Sequence, residues 1–452
     1  MLTTWVNNLI YAAMGSQMST IKDILSQQSS SDWCYPLTPY IPFPKEKWPV
    51  FENGLISDIH ILPDKLQRNL TNDSWYWWCD AQFVPFNDVS LYTTCSVYHP
   101  RPGCRWTSVP HMPSGRVVLY NFLSPNSLKC IIFSRTNSSV WPKVNPHPIG
   151  QLVAYCGTGE TVIMSDKGDP VYSRSRDLTN AVHIYCATAN NGVSFACIKR
   201  GIGVFFLEYH NIDTSILVHD SIRCHQICQD FVPSKIGNDS VACKFSPNSK
   251  QLSVSISTGV LFVVTRSKLE KVCIICPDML DGSLSSAESF DYDPRFASKV
   301  LTVATTDGFI QTVDIETGTI LRSVEAEDAC DCLTYSPDGL FIAAGFHDFD
   351  IVIYDRDLTT LHTFPMSTIC QDQLQRVQPH YPTVLHLSFS QNGEHLASTS
   401  CDGHLRIWRI PKILTLQEMC RDKILACLPV RKVKYLNGIP EKMKNFLLYK
   451  YI

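Results

Sequence analysis

From about residue 240, short runs of alternating hydrophobic and polar residues recur along the chain, separated by polar turns. The units read VACKFSPNSKQLSVSISTGVLFVV (241–264), FDYDPRFASKVLTVATTDGFIQTVD (290–314), CLTYSPDGLFIAAGFHDFDIVIYD (332–355) and VLHLSFSQNGEHLASTSCDGHLRIWR (384–409). Each unit predicts three short strands: an alternating run, a strand of small residues and a β-branched strand. No helical period interrupts them, which argues against a parallel βαβ sheet.

The aromatic residue before the first turn of each unit gives the repeat length. Phe245, Tyr292, Tyr335 and Phe389 are separated by 47, 43 and 54 residues. Periods of this size are typical of solenoids and propellers. The segments at 81–122, 151–165 and 193–209 resemble earlier strand pairs, so we predict a seven-bladed all-β propeller over residues 51–410, with six or eight blades as alternatives.

The segment LISDIHIL (55–62) is expected to supply the outer strand that closes the ring, because closure removes exposed sheet edges. Residues 1–50 form an irregular N-terminal leader in this interpretation. They lack the basic region and long apolar core of a signal peptide. No stretch approaches the length of a membrane-spanning helix. The expected location is the cytoplasm, with the nucleus as an alternative.

An acidic residue precedes the third strand of the last three units. Asp307, Asp348 and Asp402 each lie six residues before Val313, Tyr354 and Trp408. An Asp in a tight turn accepts hydrogen bonds from nearby backbone N–H groups, so a structural role in the blade turns is predicted for all three.

Composition and net charge restrict the classes of function that the chain can have. The chain has 452 residues, 44% hydrophobic and 18% charged, with a net charge of −3, which is typical of a soluble globular protein and argues against general nucleic-acid binding. Residues 411–452 carry nine Lys or Arg and three Asp or Glu, so this tail is basic while the rest is acidic. The tail is either a solvated basic face or an aid to docking an acidic partner.

The sequence predicts neither a metal site nor a cofactor. Cys273 and Cys276 form a C-x-x-C pair, but residues three apart in a strand point to opposite faces. Cys224, His225 and Cys228 form a looser cluster that lacks a recognisable zinc spacing. The 19 cysteines show no disulfide framework, which fits a reducing compartment.

No local catalytic motif occurs. GIGVFF and GTGETV are strand turns rather than phosphate-binding loops, and the chain contains no G-x-S-x-G or H-E-x-x-H sequence. We therefore expect a non-catalytic protein, and an enzyme that assembles its site from distant segments is the less favoured class.

The last forty residues change to a helical pattern. Leu416, Cys420 and Ile424 are spaced four apart and fall on one side of a helix, which Pro429 would end. Asn437-Gly438 predicts a turn, and Pro440 fits the first turn of a second helix. Because so small a helical unit cannot bury its apolar residues alone, the tail needs a partner surface.

Two family resemblances follow from these residues. The repeats resemble WD repeats, with Trp408-Arg409, Tyr354-Asp355 and Val313-Asp314 at the position of the eponymous dipeptide, although the usual Gly-His pair is missing and Thr258 replaces the turn Asp in the first unit. The tail, residues 411–452, resembles a SOCS box. Thr415, Leu416, Cys420 and Ile424 match its Elongin-binding segment, and its cullin-binding segment is matched by Leu436, Ile439, Pro440, Met443, Phe446 and Leu447.

The resemblance implies a substrate-recognition subunit of a ubiquitin ligase. The box would bind Elongin C, and with it Elongin B, and would recruit cullin 5 with a RING protein, while the propeller holds an unknown protein substrate. Asn437-Gly438 replaces the first proline of the cullin segment, which leaves cullin 2 as the alternative. The rival hypothesis is a propeller scaffold in another complex, with the tail packed on its own blades. Neither nucleic acid nor membrane is an expected partner.

Overall fold

The computed structural model describes residues 54–61, 75–98, 116–121, 129–133, 143–146, 152–157, 160–165, 170–174, 182–190, 194–201, 204–211, 217–223, 241–255, 261–266, 271–275, 287–296, 298–347, 350–366, 383–410, 424, 440, 443–444 and 447. Within these ranges the chain forms four-stranded antiparallel sheets, numbered here as blades 1 to 7. No helix in the same ranges is long and apolar enough to cross a membrane.

The first three blades come from the part of the sequence where the repeat is weakest. Blade 1 contains β2 (Trp75–Val84), β3 (Asn87–Tyr98), β4 (Arg116–Asn121) and β5 (Lys129–Phe133). Blade 2 contains β6 (Lys143–Pro146), β7 (Leu152–Gly157), β8 (Glu160–Ser165) and β9 (Pro170–Arg174). Blade 3 contains β10 (Val182–Thr188), β11 (Ser194–Gly201), β12 (Val204–Asn211) and β13 (Leu217–Arg223).

The remaining blades correspond to the four recognised repeats. Blade 4 contains β14 (Ala242–Phe245), β15 (Gln251–Ser255), β16 (Leu261–Thr265) and β17 (Lys271–Ile275). Blade 5 contains β18 (Ala287–Tyr292), a 3₁₀ turn (Pro294–Phe296), β19 (Val300–Thr305), β20 (Phe309–Asp314) and β21 (Ile320–Glu325). Blade 6 contains β22 (Cys330–Tyr335), β23 (Phe341–Phe346), β24 (Ile351–Asp355) and β25 (Thr360–Phe364). Blade 7 contains β26 (Val384–Phe389), β27 (His395–Ser400), β28 (His404–Arg409) and β1 (Leu55–His60).

The blades form a closed ring through their first strands. Strand β2 contacts β6 and β26, β22 contacts β18 and β26, and β10 contacts β6 and β14. Blades 4 and 5 share a hydrophobic core that includes Leu261, Val263, Phe290 and Tyr292. The prediction of an all-β propeller is confirmed.

Strand β1 closes the ring, as the sequence predicted for residues 55–62. It pairs antiparallel with β28, from Leu55 opposite Trp408 to His60 opposite His404. The backbone N–H of Arg409 donates to the Gly54 carbonyl at one end of the pair. At the other end, the Tyr120 hydroxyl of blade 1 donates to the Ile61 carbonyl at 2.5 Å. Blade 7 is thus completed by β1, the first strand within the described part of the chain.

The aromatic residues used to align the repeats occupy equivalent places. Phe245, Tyr292, Tyr335 and Phe389 are the buried last residues of β14, β18, β22 and β26. In blades 4, 6 and 7 the next residue is a Ser whose Oγ donates to an Asn or Asp two residues later, in the pairs Ser246–Asn248, Ser336–Asp338 and Ser390–Asn392. This Ser-x-Asn/Asp turn reverses the chain toward the second strand.

Candidate protein-interaction site

Antiparallel strand order places the turns of each blade on two opposite faces of the ring. We name the end with the turns at Asp307 and Asp402 the Asp-turn face. The end with the turns that begin at Ser246, Ser336 and Ser390 is the Ser-turn face. A propeller without a local catalytic motif can offer a partner either face.

Two of the three Asp residues predicted to shape turns, Asp307 and Asp402, follow the second strands of their blades. The Thr305 Oγ1 donates to an Asp307 carboxylate oxygen, and Asp307 itself is exposed. The Ser400 Oγ donates to Asp402 Oδ1 at 2.6 Å, and the backbone N–H of His404 donates to the same oxygen at 3.1 Å. Asp402 therefore has the hydrogen bonds expected of a turn residue. Asp348 lies outside the described residues.

Asp402 also belongs to a buried ionic network that ties β1 to β28. The fully buried guanidinium of Arg406 donates from Nη2 to Asp402 at 2.5 Å and from Nη1 to Ser400 Oγ at 2.9 Å. Its Nε donates to Asp58 Oδ2 at 3.2 Å, and His404 Nδ1 lies 2.7 Å from the other oxygen of Asp58. Burial alone would raise the pKa of Asp402, but the charge and hydrogen bonds of Arg406 outweigh it and hold that pKa below its ordinary value. This network is structural and joins the closing strand to the blade.

The pKa of Asp331, near the start of β22, is shifted in the opposite direction to that of Asp402. Burial raises the pKa of Asp331 to about 6, and His347, whose Nδ1 lies 3.4 Å from Asp331 Oδ2, only partly offsets this. Asp331 therefore binds a proton more readily than an ordinary Asp. Its carboxylate form is less stable in the folded protein than in the unfolded chain.

The seam between blades 7 and 1 holds a second polar network that the sequence did not predict. His386 Nδ1 lies 3.2 Å from Asp80 Oδ1, and the other oxygen of Asp80 accepts the backbone N–H of Val144 in blade 2 at 2.8 Å. His386 Nε2 lies 2.9 Å from Gln82 Nε2, and Ser388 Oγ accepts the backbone N–H of Phe83 at 3.2 Å. These side chains come from opposite ends of the chain, so no local signal could have paired them.

The Ser-turn face exposes a hydrophobic patch between blades 5 and 6. Phe296 is 49% exposed and Leu340 is 43% exposed. Arg295 connects them: its guanidinium carbon lies 5.4 Å from the Phe296 ring centroid, and its side chain lies so close to Gly339 that a Cβ there would meet it at 2.9 Å. Asp293 fixes this guanidinium by accepting from Nε at 2.9 Å and from Nη2 at 2.5 Å.

An Arg-Phe pair held rigid beside an exposed Leu has the composition of a binding hot spot. The segment DPRF (293–296) has the sequence of a turn between two strands of its repeat unit. The sequence signal for this exposed contact is Phe296, a large aromatic residue in a segment that otherwise has the composition of a polar turn.

The structure describes only some of the predicted tail contacts. Ile424 has helical backbone and is half-buried, and Met443, Lys444 and Leu447 are helical. The backbone N–H groups of Met443 and Lys444 donate to the Pro440 carbonyl at 2.9 and 3.1 Å, as expected where a helix begins at Pro440. Met443 is 48% exposed, whereas Leu447 is 2% exposed. The predicted contacts at Leu416, Cys420, Leu436, Ile439 and Phe446 lie outside the described residues, as do Cys224, His225 and Cys228.

Comparison with known families identifies the repeats. Residues 318–355 and 371–409 match the WD domain, G-beta repeat (WD40). The chain therefore contains WD repeats in these two segments. The matched segments cover the last strand of blade 5 (β21), the first three strands of blade 6 (β22 to β24) and strands β26 to β28 of blade 7.

Relatives match this chain over short segments. It is 27% identical over 124 residues to the serine-threonine kinase receptor-associated proteins of Rattus norvegicus and Mus musculus, covering 27% of this chain and 31% of each relative. It is 33% identical over 95 residues to WD repeat and HMG-box DNA-binding protein 1 of Xenopus laevis, covering 20% of this chain and 7% of that protein. The chain thus spans less than a third of the length of these relatives.

A chain in the crystal structure of the mitotic checkpoint complex has a similar fold. The TM-score is 0.55 at 12% identity, covering 85% of this chain and all of that chain. At this identity the similarity shows the propeller fold and carries no statement about partners.

Proposed function

We propose that this WD-repeat protein is the substrate-recognition subunit of an Elongin B/C–cullin–RING ubiquitin ligase. The observation that carries the proposal is that β1 completes blade 7, so residues 411–452 are not required to close the ring. The tail is therefore available for a separate role. Its sequence resembles the two SOCS-box segments in order, and Ile424 and Met443 have helical backbone, as such segments require.

Elongin C would receive one side of the first tail helix. Leu416 would enter an apolar pocket, with Cys420 and Ile424 beside it, which is a helix-in-groove contact with few anchors. Truncating a buried Leu to Ala costs about 2–5 kcal/mol in a packed core. A similar loss at this contact would weaken binding by about thirtyfold or more.

The second tail helix would face the cullin. Pro440 and Met443 are exposed and available to a partner without rearrangement. Leu447 is buried in the unbound chain, so its expected role is to hold this helix in place rather than to contact the cullin first. Cullin 5 is the proposed partner, with cullin 2 as the alternative.

The propeller would hold the substrate and do no bond chemistry itself. Positioning substrate lysines beside a charged ubiquitin-conjugating enzyme is a proximity effect. The Ser-turn face, with Phe296, Leu340 and the fixed Arg295, is the first surface to mutate in a search for the substrate contact.

The test is co-purification of the full chain with Elongin B and Elongin C. Leu416→Ala combined with Cys420→Ala should abolish the complex. Leu361→Ala, which shortens an exposed Leu on the outer strand of blade 6, is the matched control and should leave it intact. Failure of the wild-type chain to bind, where a known SOCS box binds, would exclude the proposal.

A WD-repeat scaffold in another complex, with its tail packed on the propeller, is the second candidate. The burial of Leu447 favours it, because a residue near the end of the chain is covered within the chain itself. Deleting residues 411–452 separates the two. A scaffold should lose several degrees of melting temperature, whereas a receptor should keep its propeller stability and lose only Elongin.

A further inference from the structure

Two cysteines of blade 1 lie directly opposite each other across neighbouring strands. In the antiparallel pairing of β2 with β3, Cys79 is the partner of Cys95. Directly opposed residues in such a pair point to the same face of the sheet. Both thiols are reduced in this structure.

The spacing of opposed strand residues lies close to what a disulfide needs. Opposed Cα atoms are about 4.5–5.5 Å apart, inside the range of about 4.4–6.8 Å found in disulfides. Opposed Cβ atoms, about 4.5–5.5 Å apart, must approach by up to about 1 Å to reach disulfide spacing. A shift of this size is small for a strand pair, so the bond can form within the folded blade.

The surroundings give the two thiols different roles. Cys79 is fully buried at the seam with blade 7, where the Thr399 Oγ1 donates to its carbonyl at 3.0 Å. Burial, with smaller contributions from Cys95, Cys401 and nearby carboxylates, raises the pKa of Cys79 well above its ordinary value. Cys95 is only partly buried, so solvent reaches it first.

We propose that Cys95 and Cys79 form an oxidation site in which hydrogen peroxide converts the pair into a cross-strand disulfide. The Cys95 thiolate attacks a peroxide oxygen, the O–O bond breaks, and Cys95 becomes a sulfenic acid while the peroxide is reduced to water. The Cys79 sulfur then attacks the sulfenic sulfur and displaces its oxygen as a second water. In sum, two thiols and one hydrogen peroxide give one disulfide and two waters.

The chain supplies an internal control. Cys186 on β10 is the direct partner of Cys197 on β11, so this pair has the same register relation. Both of these side chains are buried. If exposure of the first thiol governs the reaction, Cys186 and Cys197 should stay reduced while Cys79 and Cys95 react.

The experiment treats the folded full chain with hydrogen peroxide, alkylates the remaining thiols and maps the products by mass spectrometry without reduction. Cleavage before Asp73, Asp80 and Asp88 and after Arg105 places Cys79 in the peptide 73–79 and Cys95 in the peptide 88–105. These peptides should appear linked, and fragmentation should locate the bond at Cys95 rather than Cys104. The linked form should exceed a Cys186–Cys197 bond by about tenfold or more.

Two variants complete the test. Cys95→Ser should abolish the linked peptide, and Cys401→Ser should leave it unchanged, with circular dichroism confirming that both variants are folded. The proposal is overturned if Cys95 ends as sulfinic or sulfonic acid with Cys79 alkylated, if Cys79 bonds to Cys401 instead, or if both opposed pairs oxidise at the same rate.

Discussion

Replacement of Arg406 by Met tests whether the closing strand is held by a charge network or by the β-ladder alone. Arg406 is fully buried and donates to Asp402, Ser400 and Asp58. Met fills a similar volume without a charge, so the variant leaves the Asp402 carboxylate buried and uncompensated. Breaking a buried ion pair in this way costs about 3–5 kcal/mol of unfolding free energy. Asp58 contributes less because part of it reaches water.

Urea denaturation of the full chain, followed by tryptophan fluorescence at pH 7.5, measures this loss. Adding Asp402→Asn to the Arg406→Met variant should recover about 2 kcal/mol, because Asn still accepts from Ser400 and His404 but carries no charge. Asp402→Asn alone is the matched control. It should destabilise the protein, because it leaves the buried Arg406 with only the partly exposed Asp58 as a charged partner.

The pH dependence gives an independent check with a definite sign. The folded-state pKa of Asp402 lies below its ordinary value of 3.8, so the stability from this pair is present above that value and is lost as pH falls through the lower pKa. In the Arg406→Met variant the same carboxyl group should take up a proton on acidification and recover stability. A loss below about 1 kcal/mol, or a double variant that shows the full sum of the two single losses, would refute the network as the source of the closure energy.

Three further substitutions test the ring. Trp408→Ala should cost about 3–5 kcal/mol in urea denaturation, because Trp408 is fully buried and its indole N–H donates to Ser398 Oγ at 2.8 Å. Gly345→Ala should cost about 1–3 kcal/mol, because the added Cβ would lie 2.5 Å from Val384 Cγ1; a thermal melt unchanged within a degree would contradict the packing there. Asp331→Asn should stabilise the protein by about 1 kcal/mol at pH 7.5 and hardly at pH 4. The reason is that the folded-state pKa of Asp331, about 6, lies above its ordinary value of 3.8. The stability of the wild-type protein therefore falls as the pH rises between these two values. An equal effect of Asp331→Asn at both pH values would assign it to packing instead.

The order of the strands and the place where the ring closes could be predicted from the sequence. Phe245, Tyr292, Tyr335 and Phe389 marked the ends of four inner strands, and LISDIHIL marked the closing strand β1. These features are local, because the alternation of side chains and the residues of a tight turn depend on a few neighbouring positions. The sequence alone thus determined an all-β propeller and the positions of its regular repeats.

The partners of the individual side chains were decided by the tertiary structure. Asp80 contacts His386, and Asp58 contacts Arg406, and each pair is separated by more than three hundred residues of sequence. The register that opposes Cys79 to Cys95 is fixed by a bulge and a turn, which alternation does not specify. Lateral contacts between blades depend on ring closure, which places β1 beside β28, and no pattern within one strand encodes that neighbour.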